Sequence, residues 1–383
     1  MKRPSPLWLI PVAAALLLLV PTVAAAQSPN STALSAAPAG AGGAVFTMTN
    51  AVSGNVVIAY HIGKGGALIP DGHFSTHGKG TGVSLADQGA LTLTADHRFL
   101  LVVNAGSNTL TVFQVHGPGT GSPLLSYIGH AGSRGVEPVS VTVHDRIIYV
   151  LNAGNATTPG NIAGFLLADH GWLFPLRGSS QPLSSTAPTG PAQVSFNPAG
   201  TVLVVTEKAT SNLDTYPVNV RGVAQAPTVT SSNGSTPYGF AFGQGGSLIV
   251  SDAGPGALSS YTVASSGAVS VVSGSIGDNG TAACWVVVAH GGRIAYTSNA
   301  HSSTISSYTV GTGGTLTLLA PVAATTGAAD TDLALGGTHN QYLFVYDAGA
   351  GEIEEFHVGS TGGLTLLTAV FHLPATAEGL AAF

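Results

Sequence analysis

Glu207 and Lys208 have the clearest capacity for chemistry, because two opposite charges stand together in a chain with few charges of any kind. Only 7% of the 383 residues are charged, and the two follow an apolar run, Leu203 to Thr206, where a turn former is expected. A carboxylate beside an ammonium can act as an acid/base pair or clamp a ligand. The same residues can also form a surface ion pair worth about 0–1 kcal/mol. The sequence leaves both interpretations open.

A second group of polar and aromatic residues stands at or just before the starts of short apolar segments that recur along the chain, with His301 in a loop expected on the same face. Aromatic rings can stack on a ligand, amides can hydrogen-bond to it, and carboxylates select against anions. We therefore predict a site for a small polar or carbohydrate ligand, neutral or cationic. The alternative is that these side chains only fill a channel. This set, called the mouth set, comprises Gln88, Glu137, Gln193, Tyr238, Trp285, His301, Asp332 and Glu378.

Other chemical motifs carry less weight. Cys284 is the only cysteine, so it can form no internal disulfide, and a thiol within an apolar strand is more often buried than nucleophilic. His73 and His77 have no further ligands near them in sequence, and the acidic stretches 278–280 and 330–332 are too short for calcium. No nucleophile elbow, P-loop or dinucleotide fingerprint occurs. We predict no metal and no cofactor.

The elements that must position these residues belong to a repeat of about 48 residues. Its clearest copy, 138–154, contains an alternating strand, a turn and a more apolar second strand that ends in Asn152. The residue that ends the second strand is called the marker residue. The seven marker residues are Asn50, Asn104, Asn152, Glu207, Asp252, Asn299 and Asp347. A third strand follows each marker and carries an aromatic residue expected to pack between repeats: Tyr60, Phe113, Phe165, Tyr216, Tyr261, Tyr308 or Phe356.

With a fourth strand after a Gly-rich turn, the repeats predict an all-β, seven-bladed β-propeller with four antiparallel strands per blade. The chain begins on a second strand at Ala44 and ends on a first strand, 379–383. We therefore predict that the C-terminal strand joins the N-terminal blade and closes the ring, which removes an open edge. The starts of the first strands would then surround one channel mouth.

The N-terminus predicts export. Residues 1–26 combine a basic start, a short apolar run and Ala24-Ala25-Ala26, which is typical of a signal peptide. Residues 27–43 form a Pro- and Gly-rich flexible leader, and 44–383 form the propeller. We expect a secreted or periplasmic monomer without a membrane span after cleavage. A net charge of −6 with eleven basic residues argues against nucleic-acid binding.

The repeats resemble the lactonase family of seven-bladed propellers, which includes phosphogluconolactonase and the carboxymuconate lactonising enzyme. The most specific stretch runs from Gly190-Pro191-Ala192-Gln193 to Lys208. The resemblance implies lactone chemistry at the channel mouth. However, Ala192 stands at the family's histidine, Tyr238-Gly239 at its Arg-His, Ala253 at its glutamate and Ala300 at its following arginine.

Two hypotheses follow. In the first, an extracellular carboxylic-ester hydrolase opens a lactone or cyclic ester, with Glu207 activating water and Lys208 stabilising the oxyanion. In the second, a non-catalytic propeller binds an envelope glycan, a metabolite or an exported protein through the same face. The family likeness and the Glu207-Lys208 pair motivate the first hypothesis, and the replaced family positions with the abundance of uncharged polar residues motivate the second.

Overall fold

The structure is a computed structural model that describes residues 42–118 and 123–383. The signal peptide expected at 1–26 and nearly all of the leader expected at 27–43 lie outside the described residues. Within the described part, no helix is long and apolar enough to cross a membrane.

In the described residues, twenty-nine strands form seven antiparallel sheets, and the prediction of a seven-bladed propeller is confirmed. Each sheet is one blade, numbered in chain order, with its strands given from the channel outward. Blade 1 contains β29 (Glu378–Ala382), β1 (Ala44–Met48), β2 (Val56–Ile62) and β3 (Leu68–Ser75); blade 2 contains β4 (Leu91–Leu93), β5 (Phe99–Asn104), β6 (Thr109–Val115) and β7 (Leu125–Gly132). Blade 3 contains β8 (Pro138–His144), β9 (Ile147–Asn152), β10 (Asn161–Leu167) and a fourth strand in two pieces, β11 (Leu173–Pro175) and β12 (Gln181–Pro182).

The remaining blades have four strands each. Blade 4 contains β13 (Pro191–Phe196), β14 (Val202–Glu207), β15 (Asn212–Pro217) and β16 (Thr228–Ser231); blade 5 contains β17 (Pro237–Phe242), β18 (Leu248–Asp252), β19 (Ala257–Val263) and β20 (Val269–Gly277). Blade 6 contains β21 (Ala283–Ala289), β22 (Ile294–Asn299), β23 (Thr304–Val310) and β24 (Leu316–Thr325); blade 7 contains β25 (Asp330–Gly336), β26 (Tyr342–Asp347), β27 (Glu352–Val358) and β28 (Leu364–Val370). Five single-turn 3-10 helices lie at Lys64–Gly66, Ala105–Ser107, Gln244–Gly246, Thr312–Gly314 and Thr338–Asn340.

The C-terminal strand closes the ring as predicted. β29 pairs antiparallel with β1, with Val45 opposite Ala382 and Phe46 opposite Ala381. The Ala44 N–H donates to the Phe383 carbonyl at 3.2 Å, and the Phe383 N–H donates to the Ala44 carbonyl at 3.1 Å. Blade 1 is therefore built from both ends of the propeller.

The second strands are buried on both faces, because neighbouring blades pack against each side of a sheet. Every residue of β5, β14 and β22 is buried. This explains why β5 and β14 are mostly continuous apolar runs, whereas outer strands such as β7 mix buried with exposed residues. The seven aromatic residues on the third strands are at most 6% exposed. Two of them bond to the preceding blade: the Tyr216 hydroxyl donates to the Pro182 carbonyl at 3.0 Å, and the Tyr308 hydroxyl to the Ile276 carbonyl at 2.9 Å.

The first strand of blade 2, β4, is the shortest of the seven first strands. Ala90 still bonds to β5, because the Val103 N–H donates to its carbonyl at 3.0 Å. The two residues before Ala90 bond to other blades: the Gln88 N–H donates to the Ala192 carbonyl at 3.0 Å, and the Val141 N–H donates to the Gly89 carbonyl at 2.8 Å. Gly89 has a φ of +86°, a left-handed conformation that glycine adopts without strain. This bend directs residues 87–88 toward the channel.

Candidate functional site

The mouth loops of blades 3 to 7 share one backbone pattern. The residue after the marker donates its N–H to a carbonyl just before the first strand of the same blade. Examples are Ala153 to Glu137 at 2.8 Å, Lys208 to Gly190 at 3.0 Å, and Ala300 to Ala282 at 3.0 Å. This position is alanine in the other six blades: Ala51, Ala105, Ala153, Ala253, Ala300 and Ala348. Because alanine makes the same bond in blades 3, 5, 6 and 7, the backbone does not require the lysine in blade 4.

Lys208 extends toward the channel. Its Nζ donates to the Ala86 carbonyl of blade 2 and lies 3.5 Å from the Pro191 carbonyl. The same nitrogen lies 4.7 Å from the centre of the Tyr238 ring, a cation–π contact. Burial lowers the pKa of Lys208, while Asp87, Cys284 and Glu378 act in the opposite direction. A partly desolvated ammonium therefore lies at the mouth with few direct partners.

Glu207 lies elsewhere, although it is the next residue. Its carboxylate is fully buried, with Oε1 accepting from the Ser184 N–H at 3.0 Å and Oε2 accepting from the Thr210 hydroxyl at 2.6 Å and the Ser184 hydroxyl. Burial and then Glu207 raise the pKa of the neighbouring Asp214 to about 8. The two carboxyl groups share the interior of blade 4, and the structure does not bring Glu207 to the side chain of Lys208.

Asp87 is a mouth residue that the sequence analysis missed. It is 3% exposed, and neither carboxylate oxygen has a hydrogen-bond partner in the described structure. Burial raises its pKa well above the usual range, Glu378 and Asp332 raise it further, and Lys208 lowers it. The sequence feature that could have revealed Asp87 is its charge, because it stands next to Gln88 in a chain with few charged residues. An unpartnered buried carboxylate normally requires an explanation, and a ligand is one.

The other two carboxylates of the mouth are held by backbone N–H groups. Glu378 Oε1 accepts from Leu85 N–H at 2.9 Å, and burial raises the pKa of Glu378 to about 7. Asp332 accepts from the Leu333 and Leu380 N–H groups, both at 2.7 Å, and burial raises its pKa to about 8. Asp332 thereby links blade 7 to the closing strand.

Two glutamines of the mouth set replace missing backbone pairing between blades. Gln88 Nε2 donates to the Val286 carbonyl at 2.9 Å, and Gln88 Oε1 accepts from the Val286 N–H at 3.2 Å. Blades 2 and 6 are not neighbours, so this side chain crosses the channel. Gln193 bonds to both backbone groups of Phe240 in the same manner. The two amides therefore link blade 2 to blade 6 and blade 4 to blade 5.

Aromatic groups form one wall of the mouth. Tyr238 and Trp285 are 7% and 4% exposed, and their rings meet edge to face at 5.1 Å. The Trp285 indole N–H donates to the Asp87 carbonyl at 2.7 Å, which fixes both residues. Ala192 packs in the same apolar cluster, with Ala253 and Ala300 against it. Apolar surface thus forms at Ala192, Ala253 and Ala300, the positions at which the resemblance implies polar residues.

Three other residues stand apart from this arrangement. Glu137 is half-buried at the rim, where its N–H donates to Asn108 Oδ1 at 2.8 Å, and His301 is exposed. Cys284 is buried, and burial raises the pKa of its thiol to about 12, which disfavours the nucleophilic thiolate.

Comparison with known proteins gives a match in structure only. No protein-family model and no curated protein sequence matches the chain. A 6-phosphogluconolactonase candidate from Bacteroides fragilis aligns with a TM-score of 0.69 and 18% identity, covering 93% of this chain and 100% of that chain. A second candidate, from Bacteroides uniformis, aligns with a TM-score of 0.68 and 15% identity, covering 88% and 99%.

The periplasmic gluconolactonase PpgL of Pseudomonas aeruginosa aligns with a TM-score of 0.69 and 16% identity, covering 89% of this chain and 98% of that chain. At such identities the alignments establish the fold and not the activity. The chain therefore shares the seven-bladed β-propeller fold of lactonase-type structures, as the sequence resemblance predicted.

Proposed function

We propose that the protein binds a small uncharged cyclic ester at the channel mouth and hydrolyses it. The observation that carries the proposal is that Lys208 and Asp87 adjoin the same pair of aromatic rings: Lys208 Nζ lies over the Tyr238 ring, and the Trp285 indole N–H donates to the Asp87 carbonyl. Lys208 stands where six blades have alanine, and Asp87 is a buried carboxylate without a hydrogen-bond partner. Their electrostatic coupling and the shared wall of Tyr238 and Trp285 support one site. The fold match to lactonase-type propellers supports the substrate class.

The chemistry assigns a role to each group. The Lys208 ammonium stabilises the negative charge that develops on the lactone carbonyl oxygen, and it would exchange the Ala86 carbonyl for this oxygen. Asp87 accepts a proton from a water that attacks the carbonyl carbon, the ring C–O bond breaks, and the alcohol oxygen takes up a proton to give a hydroxy acid. Glu207 has no role in this proposal, because its carboxylate is fully buried and bonded within blade 4.

Binding without turnover is the second candidate. It is favoured by Ala192, Ala253 and Ala300, which place methyl groups where the resemblance implies catalytic histidine, glutamate and arginine. A neutral glycan or metabolite would then rest on Tyr238 and Trp285 without an acid/base set of the family type. Export of the protein is part of both candidates and is supported by the apolar N-terminal run and by the match to a periplasmic gluconolactonase.

A panel of sugar and aliphatic lactones tests the proposal. We expect wild-type turnover, a loss of about 10²–10³-fold in kcat for Lys208→Met, and a loss of about 10²-fold or more for Asp87→Asn. The matched control is Lys64→Met at an exposed site, which should retain wild-type kinetics, as should Glu207→Gln. Equal activity of wild type and Lys208→Met would contradict the proposal. Saturable binding without turnover would select the second candidate.

A further inference from the structure

A set of three positions recurs where the second and third strands of a blade meet near the mouth face. In blade 2, Asn104 Nδ2 donates to the hydroxyls of Thr109 at 3.2 Å and Thr111 at 2.9 Å. Blade 6 repeats the arrangement, with Asn299 donating to Thr304 at 3.2 Å and to Ser306 at 2.8 Å. These sets are neutral, and each bonds within itself.

Blade 7 places three carboxylates in the same register, Asp347, Glu352 and Glu354. Each of the three offers an oxygen, and these oxygens all lie within 4.8 Å of one another. A fourth carboxylate, Asp330, is the residue of β25 opposite Asp347, where blade 6 has Ala283 opposite Asn299. The blade 7 carboxylate cluster, defined as these four residues, thus replaces hydroxyl donors with acceptors.

The cluster is buried and poorly partnered. Asp330 and Asp347 are fully buried, and Glu354 and Glu352 are 8% and 9% exposed. Three of its oxygens, Asp330 Oδ2, Asp347 Oδ1 and Glu354 Oε2, have no hydrogen-bond partner in the described structure. Across 42–118 and 123–383, no lysine, arginine or histidine forms an ion pair with the cluster within 4.0 Å. Buried carboxylates of this kind require a proton or a cation as compensation.

The adjoining loop leaves room at the oxygens. Thr326 Oγ1 donates to Asp330 Oδ1 at 2.8 Å, and the Gly327 N–H donates to Asp347 Oδ2 at 3.2 Å. A Cβ atom at Gly327 would lie 2.9 Å from Asp347 Oδ2 and 2.9 Å from Glu352 Oε1. Any larger residue at this position would therefore crowd the carboxylate oxygens.

We propose that the blade 7 carboxylate cluster is a binding site for Ca²⁺. Asp347, Glu352 and Glu354 offer up to six oxygens around one point, the lower end of the six to eight oxygen ligands that calcium takes, and Asp330 adjoins them opposite Asp347. Oxygen-only donors select hard cations over zinc or copper. The sequence analysis predicted no metal because residues 330–332 alone are too few, whereas the structure adds three ligands from β26 and β27. The site does not depend on the proposed lactone chemistry.

The test is calcium binding to full-length chelator-treated protein, followed by titration calorimetry and by thermal unfolding. We expect saturable binding of about one ion per chain, and an unfolding midpoint a few degrees higher in Ca²⁺ than in chelator, because the ion binds only the folded state. Glu352→Gln/Glu354→Gln should remove both effects. Asp214→Asn, which removes one buried carboxylate from the equivalent position of blade 4, should retain both effects.

Calorimetry on the wild type requires no variant to fold. An absence of binding heat together with an unchanged midpoint would overturn the proposal, as would a calcium-dependent shift of equal size in Glu352→Gln/Glu354→Gln. Lactone binding and turnover are measured separately in this double variant. Persistence of either does not count against the calcium site, so the two proposals can fail separately.

Discussion

Deletion of residues 378–383 is expected to abolish cooperative folding. The deletion removes the whole of β29, so that β1 loses every hydrogen bond on its inner side and the ring opens at blade 1. It also removes the partner of Asp332 Oδ2 and exposes the apolar surface covered by Leu380 and Ala381. Unpaired inner edges then aggregate. Circular dichroism during heating, with size-exclusion chromatography, measures both outcomes.

A matched pair of point variants separates closure from a general effect of C-terminal damage. Leu380→Asp buries a charge in the closing strand and should cost more than about 3 kcal/mol of unfolding free energy. Leu367→Asp changes the same residue type on outer strand β28, where Leu367 is 42% exposed, and should cost less than about 1 kcal/mol. A deletion variant that unfolds cooperatively at the wild-type midpoint would show that β29 does not close the ring.

Replacing Asp214 by asparagine is expected to stabilise the protein at alkaline pH. Burial and the adjacent Glu207 raise the pKa of Asp214 to about 8, whereas an unfolded aspartate titrates near about 3.9. Between these values the folded state holds a proton that the unfolded state has lost. The stability that this proton confers is complete below about pH 4 and is lost as the pH rises to about 8, by about 1.4 kcal/mol per pH unit.

The side-chain amide of the Asp214→Asn variant would carry its N–H donor at every pH, so its contact with Glu207 should not titrate. Urea unfolding from pH 5 to 9 should therefore give Asp214→Asn a shallower decline than wild type, by about 1.4 kcal/mol per pH unit up to pH 8. Asp145→Asn is the control, because it removes a carboxyl group that is 87% exposed. Parallel curves for wild type and Asp214→Asn would contradict the assigned proton.

The fold could be predicted from the sequence because its signals are local and repeated. Second strands such as β5 and β14 are buried on both faces and hence almost continuously apolar, and the loops after the marker residues of blades 3 to 7 repeat the same backbone bond. Ring closure was predictable because the repeats start on a second strand at Ala44 and end on a first strand, 379–383. The short β4 was not predictable, because two residues shortly before it, Gln88 and Gly89, bond to blades 4 and 3 instead of to β5.

The site was only partly predictable, because residues adjacent in sequence at a strand end can point in different directions. Glu207 continues the alternation of β14 into blade 4, whereas Lys208 begins the loop and reaches the channel. Gln88 was expected at the mouth. Its bond to Val286 could not be predicted, because it joins blades 2 and 6, which face each other across the channel. The blade 7 carboxylate cluster likewise depends on cross-strand register, which places Asp330 and Glu352 on either side of Asp347.

The central claim is that a ligand binds at Lys208 beside the aromatic wall, and the fluorescence of Trp285 tests it most directly. In a Trp8→Phe/Trp172→Phe background, Trp285 is the only tryptophan of the chain, and its ring lies 5.1 Å from that of Tyr238. Titration with neutral sugar lactones should shift its emission saturably. Lys208→Met in the same background should abolish the shift, and Lys64→Met should retain it. A saturable shift of equal affinity in Lys208→Met would contradict the claim.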